Sequence, residues 1–217
     1  MPILMLRLQG VMQAWGGHTY EDYRPSHLFP TRSGLEGLLA ACLGIDRDNL
    51  EQQQALSESF TYAVRADHRK HPPRKIIDFH TVMAARKVDG KSNPHPIISR
   101  REYLCDSRFT VALDFKPNAQ YDLATVAQAV QKPVYTPVLG RRSCPLTAPL
   151  YAGQQTADDL HAALKALCPH QGTIYSELEM GSSNHLVIRD CRLFQGKRQF
   201  KTCIVYIHVE EHADVSE

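Results

Sequence analysis

Apolar periodicity changes along this sequence in an order that few folds accommodate. Residues 3 to 8 alternate, with Leu4, Leu6 and Leu8 on one side and Ile3, Met5 and Arg7 on the other, as a strand requires. In FPTRSGLEGLLAACLGI (29 to 45), Leu35, Leu38, Leu39, Cys42 and Leu43 fall on a single helical face. FTYAVRAD (60 to 67) suits a second strand, and FTVALDF (109 to 115) alternates again. LATVAQAV (123 to 130) is a short amphipathic helix, and PVYTPVLG (133 to 140) is a strand-like run ending in glycine. The predicted order is β-α-β, an insertion, then β-α-β, the split arrangement of an α+β ferredoxin-like fold. A helix near 157 to 167 and strands near 173 to 178, 186 to 193 and 201 to 210 would form a smaller β-rich region. The expected division is therefore a domain over 1–150 and a C-terminal one over 151–217.

The insertion is where the charge lies. Net charge is only +2, yet residues 65 to 101 hold ten Lys/Arg against three Asp, a local +7. The remainder is −5, with 15 cations against 20 carboxylates. HPPRK and SNPHP supply turns around IIDFHTVMAAR, which fits an extended hairpin. Such a block is either a solvated loop or a polyanion contact, and its concentration on a near-neutral chain favours the polyanion.

At 217 residues the chain can bury a substantial core. Its six cysteines (42, 105, 144, 168, 191 and 203) show no C-x-x-C and no zinc-finger spacing, as expected of reduced thiols in a cytoplasmic protein. MPILMLRLQG is too short and interrupted for a signal peptide or membrane span. No motif for a metal, a cofactor or a nucleotide phosphate is present, and no paired carboxylates or G-x-S-x-G.

Three segments carry candidate contacts. GVMQAWGGHTYEDYRPSHLFPTRSG interleaves Trp15, Tyr20 and Tyr23 with Arg24 and Arg32, the mixture of stacking surfaces and cations that single-stranded nucleic acid uses. Ser33 and Glu36 have capping-box spacing, which starts the helix near Gly34 and leaves Arg32 before it. A cation at the positive end of a helix is unfavourable unless an anion intervenes. LGRRSCPL places Arg141 and Arg142 on a turn after Gly140, and guanidinium suits phosphate by donating in parallel pairs. In the basic insertion, His80, Arg86, Arg100 and Arg101 are contact candidates, with His80 also a possible acid or base for RNA cleavage.

Together MQAWG, RPSHLFPTRSGLEGLLAACLGI, LSES, FHTV, REYLCDSRFTVAL and YTPVLGRRSCPLTAPL resemble the CasD subunits of the type I-E CRISPR complex, Cascade. The resemblance runs from about residue 4 to 153 and returns weakly at IYSE (174 to 177). It implies a repeat-associated (RAMP) protein with a ferredoxin-like, RRM-like core and a projecting β-hairpin thumb at about 70–102. It further implies a non-catalytic subunit that caps the 5′ handle of crRNA and contacts the CasC backbone subunits and the large subunit CasA. The anion at the helix start would be an RNA phosphate, held with Thr31, Arg32, Ser33 and Arg24. Gln13, Trp15 and the Gly140–Arg142 turn would complete the RNA contacts. The rival reading is a metal-independent endoribonuclease acting on precursor crRNA through His80. A third is an α+β protein whose basic loop meets another protein.

Overall fold

The computed structural model describes residues 1–67, 73–87, 89–168, 172–179, 184–194 and 199–209. The strands are β1 (Pro2–Gln9), β2 (Met12–Gln13), β3 (Trp15–Gly16), β4 (Tyr23–Arg24), β5 (Ser26–His27), β6 (Phe60–Asp67), β7 (Arg74–Val82), β8 (Ile97–Cys105), β9 (Arg108–Phe115), β10 (Tyr151–Thr156), β11 (Gly172–Ser176), β12 (Asn184–Leu193) and β13 (Gln199–Val209). The helices are α1 (Arg32–Leu43), α2 (Leu50–Ser59), α3 (Leu123–Gln131) and α4 (Leu160–Ala166). His68, Arg69, Lys70 and His71 of the basic block lie outside the described residues.

The alternation of β1 divides one core into two. Leu4, Leu6 and Leu8 point to the side shared with α1 and α3, where Leu35, Leu38, Leu39, Val126 and Val130 are buried. Ile3 and Met5 point to the opposite side, against Leu160, Ala163 and Leu164 of α4. Both faces of β1 are therefore covered, which accounts for an apolar run with few polar breaks. The main sheet has the order β10-β1-β9-β6-β11-β13-β12, with every neighbouring pair antiparallel. It crosses residue 150 without a break: β10 lies against β1, and β11, β13 and β12 extend the edge at β6.

Two local expectations are corrected. The run at 133–140 is not a strand. Val134 and Tyr135 donate backbone N–H groups to Cys42 and Ala41 O at 3.0 Å each, so the segment satisfies carbonyls at the end of α1 instead of entering the sheet. The strand following α3 is β10, whose sequence YAGQQT is polar because it lies at the sheet edge. Helix α2 was also not anticipated. Only Gln53, Leu56 and Ser59 are buried in it, so apolar periodicity is nearly absent, and Asn49 caps it by accepting from Gln52 N at 3.1 Å.

Candidate nucleic-acid interface

β7 and β8 form the hairpin of the basic insertion, paired from Arg74↔Cys105 to Val82↔Ile97. β7 is exposed along most of its length, with Ile77 59% and Phe79 65% accessible, and Met83 beyond it is 71% accessible. Arg86, Lys87 and Lys91 are exposed in the connection between the two strands. There, Lys87 N donates to Lys91 O at 2.8 Å, so the backbone presents these cations on an ordered turn.

The base of the hairpin is gripped from two directions. The loop after β1 pairs with β8 twice, antiparallel through β2 and parallel through β4 (Tyr23↔Arg100, Arg24↔Arg101). Glu102 is the hub. It accepts from Ser26 N and Lys75 Nζ at 3.0 Å each and from the Tyr23 hydroxyl. Burial disfavours its charge, but the Ser26 N–H, the Tyr23 hydroxyl and Lys75 outweigh that and hold its carboxyl below the ordinary 4.5. From the other side the 140–142 turn reaches in. Arg141 donates to Glu102 O at 2.9 Å and to Arg24 O at 3.1 Å, and its guanidinium stacks 4.6 Å over Tyr103. Gly140 permits this approach: its φ is +87°, and a Cβ there would sit 1.8 Å from Ala14 O. Three segments far apart in sequence thus meet around β8.

Several expected contact residues have internal work instead. Arg32 is the first residue of α1, with Thr31 as N-cap; Thr31 accepts from Gly34 N at 3.4 Å, so the Ser33–Glu36 capping box does not form. The Arg32 guanidinium donates to Glu36 at 2.9 Å, Glu177 at 2.5 Å, Phe60 O at 3.1 Å and Ser57 O, and stacks 4.5 Å from the Phe60 ring. Burial works against its charge, and the attraction of Glu177 and Glu36 overcomes it, raising the guanidinium pKa. Burial in turn raises both carboxyls, because one cation is shared by two desolvated acids. The helix N-terminus is met by a third acid: Asp190 accepts from Ser33 N at 2.8 Å and from the Ser33 hydroxyl at 2.5 Å. The anions waiting at this end of α1 are the protein's own carboxylates.

Trp15 is likewise corrected as a stacking surface. It is fully buried beneath Gly34, and its indole N–H donates to Gln13 Oε1 at 3.1 Å. Gln13 is buried too and donates to Ser107 O at 2.7 Å, so the pair ties the end of β1 to the turn before β9. No sequence signal marked Glu102, Glu177 or Asp190, whose contacts with Ser26, Arg32 and Ser33 span 76, 145 and 157 residues.

The remaining candidates face outward. Arg100 forms a bidentate pair with Asp22 at 3.0 and 3.1 Å, and Arg101 donates to Ser99 Oγ at 3.0 Å. Arg24 is half-buried and donates to backbone carbonyls of Glu21 and Tyr23. His80 lies on β7 with its side chain 44% accessible and Nδ1 3.7 Å from Asp78. Arg86 and Arg142 are exposed. A separate cleft of about 810 Å³ runs along α1, lined by Gly34, Gly37 and Ala41, by Asp46 and Asp48, and by Arg141 and Arg192. Among the described residues, no group of three or more His, Cys, Asp or Glu side chains is placed to hold a metal ion. Among them, no helix is long and apolar enough to cross a membrane.

Comparison with known proteins adds a lineage to this geometry. The CasD subunit of the Escherichia coli (strain K12) CRISPR system Cascade is 47% identical over 222 residues, covering 99% of this chain and 98% of that protein. A solved CRISPR RNA-guided surveillance complex contains a chain with a TM-score of 0.74 and 26% identity, covering 95% of this chain and 89% of its own. A crystal structure of a Cas protein gives a TM-score of 0.60 at 27% identity, covering 95% of this chain and 92% of its own. The family described as CRISPR-associated protein (Cas_Cas5) matches residues 3–206. With that match and that relative, the chain belongs to the Cas5 family of CRISPR-associated proteins.

Proposed function

We propose that this chain is a non-catalytic subunit of a type I-E Cascade complex that holds the 5′ handle of crRNA. The observation that carries the reading is the convergence on β8: the loop after β1, the basic hairpin and the Gly140–Arg142 turn share one anchored base. We read β10-β1-β9-β6 as a ferredoxin-like core and the β7–β8 hairpin as its thumb. The hairpin offers cations for phosphates in Arg86, Lys87 and Lys91, and apolar surface for unstacked bases in Phe79 and Met83. Arg24, Arg100, Arg101 and Arg142 extend the positive surface around its base, and the cleft beside α1 gives room for splayed nucleotides. The relative named as a Cascade subunit supports membership of such a complex; we further infer contacts with CasC backbone subunits and the large subunit CasA.

The test is photo-crosslinking of 4-thiouridine-substituted handle RNA to the chain co-assembled with its partner subunits. Crosslinks on Phe79 or Met83 peptides are expected. Crosslinks confined to β12 and β13, or none in an assembled complex, would refute the assignment.

A further inference from the structure

The two edges of the main sheet are built differently. At one end β10 reads YAGQQT and pairs with β1 through a bulge, and polar side chains and bulges both blunt a strand edge. At the other end β12 opens with NHLVIR, and residues 184–189 pair with 207–202 of β13 in unbroken register. Among the described residues, no strand pairs with the outer side of β12. This stretch holds no proline and no bulge, and its one formal charge, Arg189, stands at its end. Ile188 and Val205 are buried in the core, whereas Val187 and Ile204, directly opposite each other on the other face, are 63% and 46% accessible. Leu186 is exposed as well. An apolar, regularly paired edge of this kind is a template for another strand. We propose that the outer edge of β12 over residues 184–189 receives an extended, carboxylate-bearing apolar segment of a partner protein as a further strand of the main sheet.

Backbone and charge together specify the occupant. A free strand edge offers N–H and C=O groups in alternation, which an extended polypeptide matches and a row of phosphates, accepting only, does not. β12 and β13 carry Arg189, Arg192 and Lys201 against a single carboxylate, Asp190, which is buried and bound to Ser33. Arg189 and Lys201 are exposed, so an arriving strand gains from a carboxylate placed across from Arg189. Opposite Val187 it gains from an apolar or β-branched side chain. A second copy of β12 meets neither need. It brings no free carboxylate, and an antiparallel self-pair centred on Val187 would set His185 opposite Arg189. The contact uses a different sheet from the β7–β8 hairpin and is independent of the RNA reading.

The probe is a fluorescein-labelled octapeptide of alternating valine and threonine, with glutamate at the position that meets Arg189 in an antiparallel pair. It is titrated against the full-length chain by fluorescence anisotropy, and saturable binding is expected. Methylating one alternate set of peptide amides should weaken binding about tenfold or more, because edge hydrogen bonds are lost while every side chain is kept. Methylating the other set should leave it unchanged. Val187→Lys weakens binding as the first set does, and a peptide with lysine for glutamate binds poorly until Arg189→Glu restores it. Both substituted side chains are exposed, so circular dichroism of the variants should match the unsubstituted protein. No saturable binding, equal sensitivity to both methylated sets, or protection of every amide of 184–189 from exchange in the isolated chain would overturn the proposal. So would a concentration-dependent dimer in sedimentation that Val187→Lys abolishes, since the occupant would then be a second copy.

Discussion

Arg32 Nη1 lies 2.5 Å from the Glu177 carboxylate, joining the first turn of α1 to the residue that follows β11, 145 positions later. Glu36 shares the same guanidinium at 2.9 Å. Removing the cation leaves two desolvated carboxylates facing each other. Arg32→Ala is expected to lower unfolding stability by about 3–5 kcal/mol, the range for breaking a buried ion pair from one side. Arg32→Lys restores little, because one ammonium cannot reproduce four directed donations. Urea denaturation followed by circular dichroism checks both, and full stability in Arg32→Ala would show that the guanidinium serves something other than the fold.

Gly140→Ala meets the Ala14 carbonyl at its Cβ and requires a left-handed φ. The expected loss is at least about 1 kcal/mol, since Ala at positive φ costs more than the entropy it saves. Displacing the turn also withdraws Arg141 from Glu102 O and Arg24 O. Amide hydrogen exchange at Glu102 and at Ser26 reads this directly: faster exchange at both is expected, and an unchanged pattern would mean that the turn does not brace the hairpin.

On the proposed function, the exposed hairpin cations serve RNA binding, and their removal is not expected to alter folding. Arg86→Ala, Lys87→Ala and Lys91→Ala combined leave the urea midpoint unchanged, because all three are exposed. If each meets a phosphate, the slope of log affinity against log salt falls by about 0.7 per contact, roughly 2 in all, for single-stranded RNA. A salt titration of handle binding measures it, and an unaltered slope would remove these residues from the interface.

Much of this fold could be read from periodicity. β1, β6, β9, α1 and α3 lie where apolar patterns of period 2 or 3.6 place them, since each buries one regular face. Pattern failed where burial is not apolar or where an apolar run does something else. α2 buries Gln53 and Ser59, β10 is a polar edge strand, and residues 133–140 finish α1. Site residues were harder for the same reason. Arg32 stands where a cation needs an anion, but Glu177 is brought to its guanidinium and Asp190 to the neighbouring Ser33 by strand pairing that leaves no local signature. Trp15 has the composition of a stacking residue and the burial of a core one.

Acid acts on Glu102. Its carboxyl is held below 4.5, so it adds stability above that value which is lost as pH falls through its lower folded pKa. Glu36, Glu177 and Asp190 have the opposite sign. Burial raises them, so their contribution is complete below their ordinary values and declines as pH rises through the folded ones. Glu102→Gln is therefore expected to flatten only the acid limb of a stability–pH curve taken from neutral pH down through the carboxylate range. An acid limb as steep in Glu102→Gln as in the unsubstituted protein would contradict this assignment.

The most direct test of the functional reading is a single-turnover assay of the purified chain with 5′-labelled repeat RNA in EDTA, resolved on native and denaturing gels. The expected result is saturable, salt-sensitive binding of RNA that stays full-length, in both the unsubstituted protein and His80→Ala. The contradicting result is a discrete cleavage product that disappears in His80→Ala, with a rate loss of roughly 10²–10⁴-fold, as removal of a general acid or base would give.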